Sequence, residues 1–107
     1  MTDFVDFDVE IQDTKESNGV HYNGAVAVAG VPASITPSSK IQLVFIKNPN
    51  KGPNQNTPNV VILVSIDGTT NYISISRGEY VYIPGIFTTL KIDSTVNGGK
   101  YESIIWT

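Results

Sequence analysis

The stretch "VVILVSIDGTTNYISISRGEYVYIPG", residues 60–85, decides the fold. It opens with Val60 to Ile66, apolar on both faces as the middle strand of a sheet requires. Asp67-Gly68 then breaks the run with a strong hairpin-turn pair. Beyond it, apolar and polar residues alternate with a period of two, through Ile73 and Ile75 and again through Val81 and Ile83. A helix would repeat its apolar residues every three to four positions, and nothing here does so.

The segment "RGEYVYIPG" (77–85) also raises the one question about function: which way Tyr80 and Tyr82 point. A two-residue Arg-Gly hairpin loop would mix aliphatic and polar groups on each face. A three-residue loop, Ser76-Arg77-Gly78, instead puts Gly78 at a left-handed position that glycine takes without steric cost. In that register Ile73, Ile75, Val81 and Ile83 form an aliphatic core face, and Tyr72, Ser74, Tyr80 and Tyr82 face outward.

The same rhythm extends along the chain. "KIQLVFIK" (40–47) carries Ile41, Leu43 and Phe45 on one side and Val44 and Ile46 on the other. "FVDFDVEI" (4–11) sets Val5, Phe7, Val9 and Ile11 against Asp6, Asp8 and Glu10, the pattern of a half-buried strand. Further strands are expected at about 25–30, 71–76, 79–83, 87–93 and 100–106. Between them lie turn signals: "NGVHYNG" (18–24), "VPASITPSS" (31–39), Pro84-Gly85, and Asn97-Gly98-Gly99 with its turn at Gly98. "NPNKGPNQNTPN" (48–59), with three prolines and five asparagines, reads as a loop. About eight short antiparallel strands predict an all-β single domain over 1–107, a β-sandwich or jelly-roll-like fold.

Composition narrows the function classes. Charged residues make up 16% of the chain, against roughly 25% in an average globular domain. The surface must therefore be covered by Asn, Ser, Thr and Tyr. Seven basic residues, scattered singly in a chain of net charge -3, form no stripe that could neutralise phosphates, so nucleic-acid binding is not expected. The absence of cysteine removes disulfides, zinc-thiolate sites and thiol catalysis. The longest aliphatic run, "VVILV", is too short to span a bilayer, so no membrane partner is expected. The first residues lack the basic start and apolar run of a signal peptide, which predicts synthesis in the cytoplasm.

No catalytic, metal or cofactor site is expected. His21 is the only histidine and sits in a turn-rich stretch without a partner for a relay or a metal. Asp6, Asp8 and Glu10 lie along a wet strand face, with no Asp-x-Asp-x-Asp-Gly loop to wrap calcium. The chain is read as a non-enzyme. Candidate interface residues are the outward Tyr72, Tyr80 and Tyr82, because tyrosine joins apolar area to a hydroxyl at small entropic cost. Asn50, Asn54 and Asn56 join them from the asparagine-proline loop, whose amides both donate and accept.

Residues 60–106 resemble the small β-sandwich virion proteins of tailed bacteriophages. The resemblance runs through a valine-rich strand, Asp67-Gly68 before aromatic Tyr72, Gly78-Glu79, Leu90-Lys91-Ile92, and a closing Tyr101-Glu102 strand ending in Trp106. It covers about half the chain, and the first 59 residues contribute nothing to it. It implies a structural role, most simply as a capsid decoration or head-stabilising protein on the virion surface. The implied partners are the major capsid protein or other virion subunits and further copies of the chain, since such proteins often act as trimers. The competing expectation is a small carbohydrate-binding adhesion module with Tyr72, Tyr80 and Tyr82 as a stacking platform.

Overall fold

The computed structural model describes residues 19–67 and 72–107, and these are all β, without a helix. The strands are β1 (Gly19–His21), β2 (Gly24–Val26), β3 (Ala33–Ile35), β4 (Ile41–Lys47), β5 (Ile62–Ile66), β6 (Ile73–Ile75), β7 (Tyr80–Phe87), β8 (Leu90–Ser94) and β9 (Gly99–Trp106). They form two antiparallel sheets. Sheet I runs β1-β9-β4-β7, with β2 also paired to β9, and sheet II runs β3-β8-β5-β6. The sheets pack as a β-sandwich. The strand expected at 4–11 and the turn glycine Gly68 lie outside the described residues.

The core is the aliphatic inner face of each sheet. Sheet I contributes Val26, Ile41, Val44, Ile46, Phe87, Tyr101 and Ile105, and sheet II contributes Ile62, Val64, Ile75, Leu90 and Ile92. β5 is central, between β8 and β6, as its two apolar faces predicted. Each side chain buried in this way contributes about 1.5–3 kcal/mol relative to exposure, so the alternating strands can hold the fold without covalent links.

Four expectations change. First, 76–78 is not a hairpin loop. β6 pairs with β5 in sheet II and β7 with β4 in sheet I, so the segment is a corner where the chain changes sheets. Gly78 does adopt the predicted left-handed conformation, with φ +88. The Glu79 N–H donates to the Ser76 carbonyl at 2.9 Å, and the positive φ at the third position is what a type II turn demands. The partner that displaces the hairpin is Asn48 at the end of β4. Its carbonyl accepts from Gly78 N–H at 2.7 Å and its own N–H donates to the Glu79 carbonyl at 3.0 Å. Second, Ile73 is not core: it is 46% exposed on the short edge strand β6.

Third, Pro84-Gly85 is not a turn but part of β7. Leu43 pairs with Pro84 and Ile41 with Phe87, so β7 advances three residues where β4 advances two, a one-residue bulge. Gly85, at φ +145, takes up the distortion. An edge strand tolerates the missing proline N–H. Fourth, two of the presumed turn segments contain strands. Gly19–His21 pairs with the end of β9, and Ala33–Ile35 pairs with β8. Turn propensity loses there to pairing along the sheet edges. Gly98, in contrast, keeps its turn role at φ +78, with its N–H donated to the Val26 carbonyl at 2.7 Å.

Candidate functional site: the outer face of sheet I

Pairing register places the outward side chains of sheet I in rows. One row is Gly19, Trp106, Leu43 and Pro84; the next is His21, Ile104, Phe45 and Tyr82; the third is Glu102, Lys47 and Tyr80. Because side chains alternate with a period of two, members of these rows point away from the Val44–Ile46 core side.

In the upper rows the surface is aromatic and open. Tyr80 is 61% exposed and Tyr82 43% exposed, so both point outward as the sequence predicted. Phe45, half-buried between them, has its ring centroid 5.6 Å from Tyr80 and 5.2 Å from Tyr82. The two tyrosine rings stand edge to face, 6.1 Å apart at 86°. Such pairs contribute about 0.5–1.5 kcal/mol beyond area burial, which fixes the cluster before any partner arrives.

The lowest row is closed instead. Trp106 turns outward in the alternation yet is 3% exposed. A Cβ built on Gly19 would lie 2.7 Å from its Nε1 and 2.8 Å from Ile104 Cγ2, so glycine is what lets β1 approach the ring. Among the described residues the buried indole N–H has no hydrogen-bond partner.

The remaining sequence candidates separate. Tyr72 precedes β6 in the other sheet and is half-buried, so it does not join Tyr80 and Tyr82 on one surface. Asn50 is half-buried, with its amide against Gly78, and Asn54 is half-buried as well. Asn56 is not a surface contact residue: it is 5% exposed and its side chain is fully engaged within the chain. Its Nδ2 donates to Asn48 Oδ1 and to the Lys100 carbonyl, each at 2.7 Å, and its Oδ1 accepts from Lys100 N–H at 2.7 Å. Arg77 Nε donates to the Asn56 carbonyl at 2.7 Å, tying the sheet-changing corner to the loop.

Phe45 and Asn48 were not singled out from the sequence. Phe45 gains its role from cross-strand pairing with Tyr82, which no local pattern announces. His21 is exposed on β1, facing solvent beside Ile104. Among the described residues no group of three or more His, Asp or Glu converges as a metal would require, and no helix is long and apolar enough to cross a membrane.

No family model matches the chain, and no curated protein matches it. What the fold and surface define is a β-sandwich that carries an aromatic cluster on the outer face of one sheet.

Proposed function

We propose that this protein is a structural component of a bacteriophage virion, a capsid decoration or head-stabilising protein that joins neighbouring subunits through the outer face of sheet I. It acts by binding, without catalysis. The observation that carries this reading is the grouping of exposed Tyr80 and Tyr82 around Phe45 on a rigid sheet face. Aromatic anchors on a preformed scaffold are the side chains that dominate protein interfaces. The low charge content fits the same role, since charged residues are depleted at interface centres. The resemblance of residues 60–106 to phage β-sandwich proteins supplies the virion setting. Repetition over a shell converts modest single contacts into high avidity when one oligomer engages several sites.

A glycan platform is the weaker reading. Stacking a sugar ring favours aromatic faces presented in one plane, whereas Tyr80 and Tyr82 stand at 86° and Tyr72 lies in the other sheet.

The test is sedimentation of the protein with purified capsids, set beside a glycan-binding screen. The native chain should co-sediment, and Tyr80→Ser with Tyr82→Ser should stay folded and remain in the supernatant. Binding to glycans without binding to capsids would overturn the proposal, as would undiminished capsid binding by the folded double mutant.

A further inference from the structure

We infer that the β1–β2 edge of sheet I takes up the chain's own residues 4–11 as an added antiparallel strand. The inference stands apart from the virion reading. It concerns a margin that the aromatic cluster does not use, since Tyr80 and Tyr82 lie on β7 at the opposite edge.

The β1–β2 edge is open where a core should be closed. Among the described residues β1 and β2 have β9 as their only strand partner. The Tyr22 N–H donates to the Ser103 carbonyl at 2.9 Å, so the His21 N–H, one residue earlier, points away from β9. Val20 shares its register row with Ile105 and Val44, which are 1% and 0% exposed, yet Val20 itself is 51% exposed. An aliphatic side chain on the core side of the sheet is thus left half in water, beside a backbone edge with outward donors.

The occupant that fits is the sequence just upstream. Residues 1–18 lead directly into β1, and "FVDFDVEI" (4–11) among them alternates with the period of a strand. Residues 12–18 form the return loop of a hairpin, and the entropy cost of closing such a loop grows only slowly with its length. A second copy supplying the same strand would lose its translational and rotational freedom as well, so the segment belongs to the same chain.

Residues directly opposite each other in a sheet share a face. With Val5, Phe7, Val9 and Ile11 on the core side, they cover Val20 and the half-buried Tyr22. Asp6, Asp8 and Glu10 then fall on the outer side, beside exposed His21 and near Lys100, the cross-strand partner of Ala25. A slip of one residue would drive three carboxylates against the core, so the alternation fixes which face is which. The charges agree. Residues 1–18 hold six of the ten acidic residues and one of the seven basic ones, leaving six basic and four acidic residues in 19–107. An acidic strand docks on a body with a surplus of positive charge.

The experiment is residue-resolved amide hydrogen exchange on the full chain, beside two full-length variants. In the native chain the His21 amide should exchange slowly, because it donates to the added strand. Phe7→Asp with Val9→Asp destroys the apolar face and should speed that exchange by at least about tenfold. Asp6→Ser with Asp8→Ser leaves the alternation in place and should speed it by a clearly smaller factor. The Tyr22 amide, bonded to Ser103, should stay slow throughout and reports that β1 remains paired to β9. Cross-strand nuclear Overhauser contacts between 4–11 and β1 are expected in the native chain, and they depend on no variant.

Absence of those contacts overturns the inference. So does a His21 amide that exchanges as fast in the native chain as in the Phe7→Asp, Val9→Asp variant, or an equal effect of the two variants. Protection that rises with protein concentration, alongside larger species in sedimentation, would assign the strand to a second copy and overturn it too. Capsid co-sedimentation is read separately. A paired 4–11 strand in a chain that ignores capsids would sink the virion role alone, and capsid binding by a chain with an unprotected His21 amide would sink the added strand alone.

Discussion

The Asn56 side chain donates a hydrogen bond of 2.7 Å to Asn48 Oδ1, and through this pair the loop at 48–60 locks the two sheets together. Asn48 is fully buried, and its Nδ2 donates to the carbonyls of Val60 at 2.8 Å and Ile75 at 2.9 Å, just before β5 and at the end of β6 in sheet II. Its backbone meanwhile holds the Gly78–Glu79 corner to the end of β4. Asn56 carries the connection onward to Lys100 in β9. A loop rich in asparagine and proline thus acts as an internal clasp, with the Asn48 and Asn56 side chains satisfied by each other and by neighbouring backbone groups.

Removing the centre of this clasp should be severe. Asn48→Ala leaves two carbonyls and the Asn56 amide short of a partner in a buried site. Each unsatisfied buried group costs about 1–3 kcal/mol, and some will relax toward water, so a loss of roughly 2–4 kcal/mol is expected. Urea denaturation measures it. A change below about 0.5 kcal/mol, the usual scale of a surface substitution, would show that the clasp is not structural.

Gly78→Ala should destabilise by about 1–2 kcal/mol, because an alanine at φ +88 brings Cβ against its own backbone. The added Cβ would also lie 2.8 Å from Asn50 Nδ2, but that amide ends a flexible side chain and can shift. The backbone term therefore dominates. An unchanged denaturation midpoint would contradict the type II corner.

Trp106 is the only tryptophan, so its fluorescence reports one environment. Gly19→Ala pushes a methyl into the indole at 2.7 Å and into Ile104 beside it. Over-packing of this kind costs about 1–3 kcal/mol. The emission should move to longer wavelength as β1 lifts from the ring and water reaches it. A native-like spectrum with native stability would mean that β1 does not depend on glycine there.

Tyr101 gives the chain an alkaline sensitivity. Burial raises its pKa above the ordinary value of 10.0, because the core disfavours the charged phenolate. Below pH 10.0 the phenol is protonated in both folded and unfolded chains, and its contribution is whole. Above that value the unfolded chain loses the proton first, so stability falls as pH climbs through the raised folded value. Urea midpoints from about pH 9 to pH 11 should drop more steeply for the native chain than for Tyr101→Phe. Equal slopes would remove Tyr101 as the cause.

The sequence by itself determined the strands β4, β5, β6 and β9 and which way most of their residues face, while β1 and β3 lay hidden in segments that read as turns. Period-two alternation is a local property, imposed by the pleat on every strand whatever its partner. That is why the central position of Ile62–Ile66 and the outward direction of Tyr80 and Tyr82 were legible, and local turn chemistry likewise gave the left-handed Gly78 and the turn at Gly98. Tertiary structure alone decided who pairs with whom. The alternation of Ile73, Ile75, Val81 and Ile83 reads the same for a hairpin as for a corner between sheets, and the buried bonds of Asn48 chose the corner. The aromatic cluster likewise needed the pairing of Phe45 with Tyr82, residues far apart in the chain. Asn56 looked like a surface amide because an asparagine in a proline-rich loop has no local mark of burial. Its inward role exists only once Asn48 and Lys100 are brought beside it.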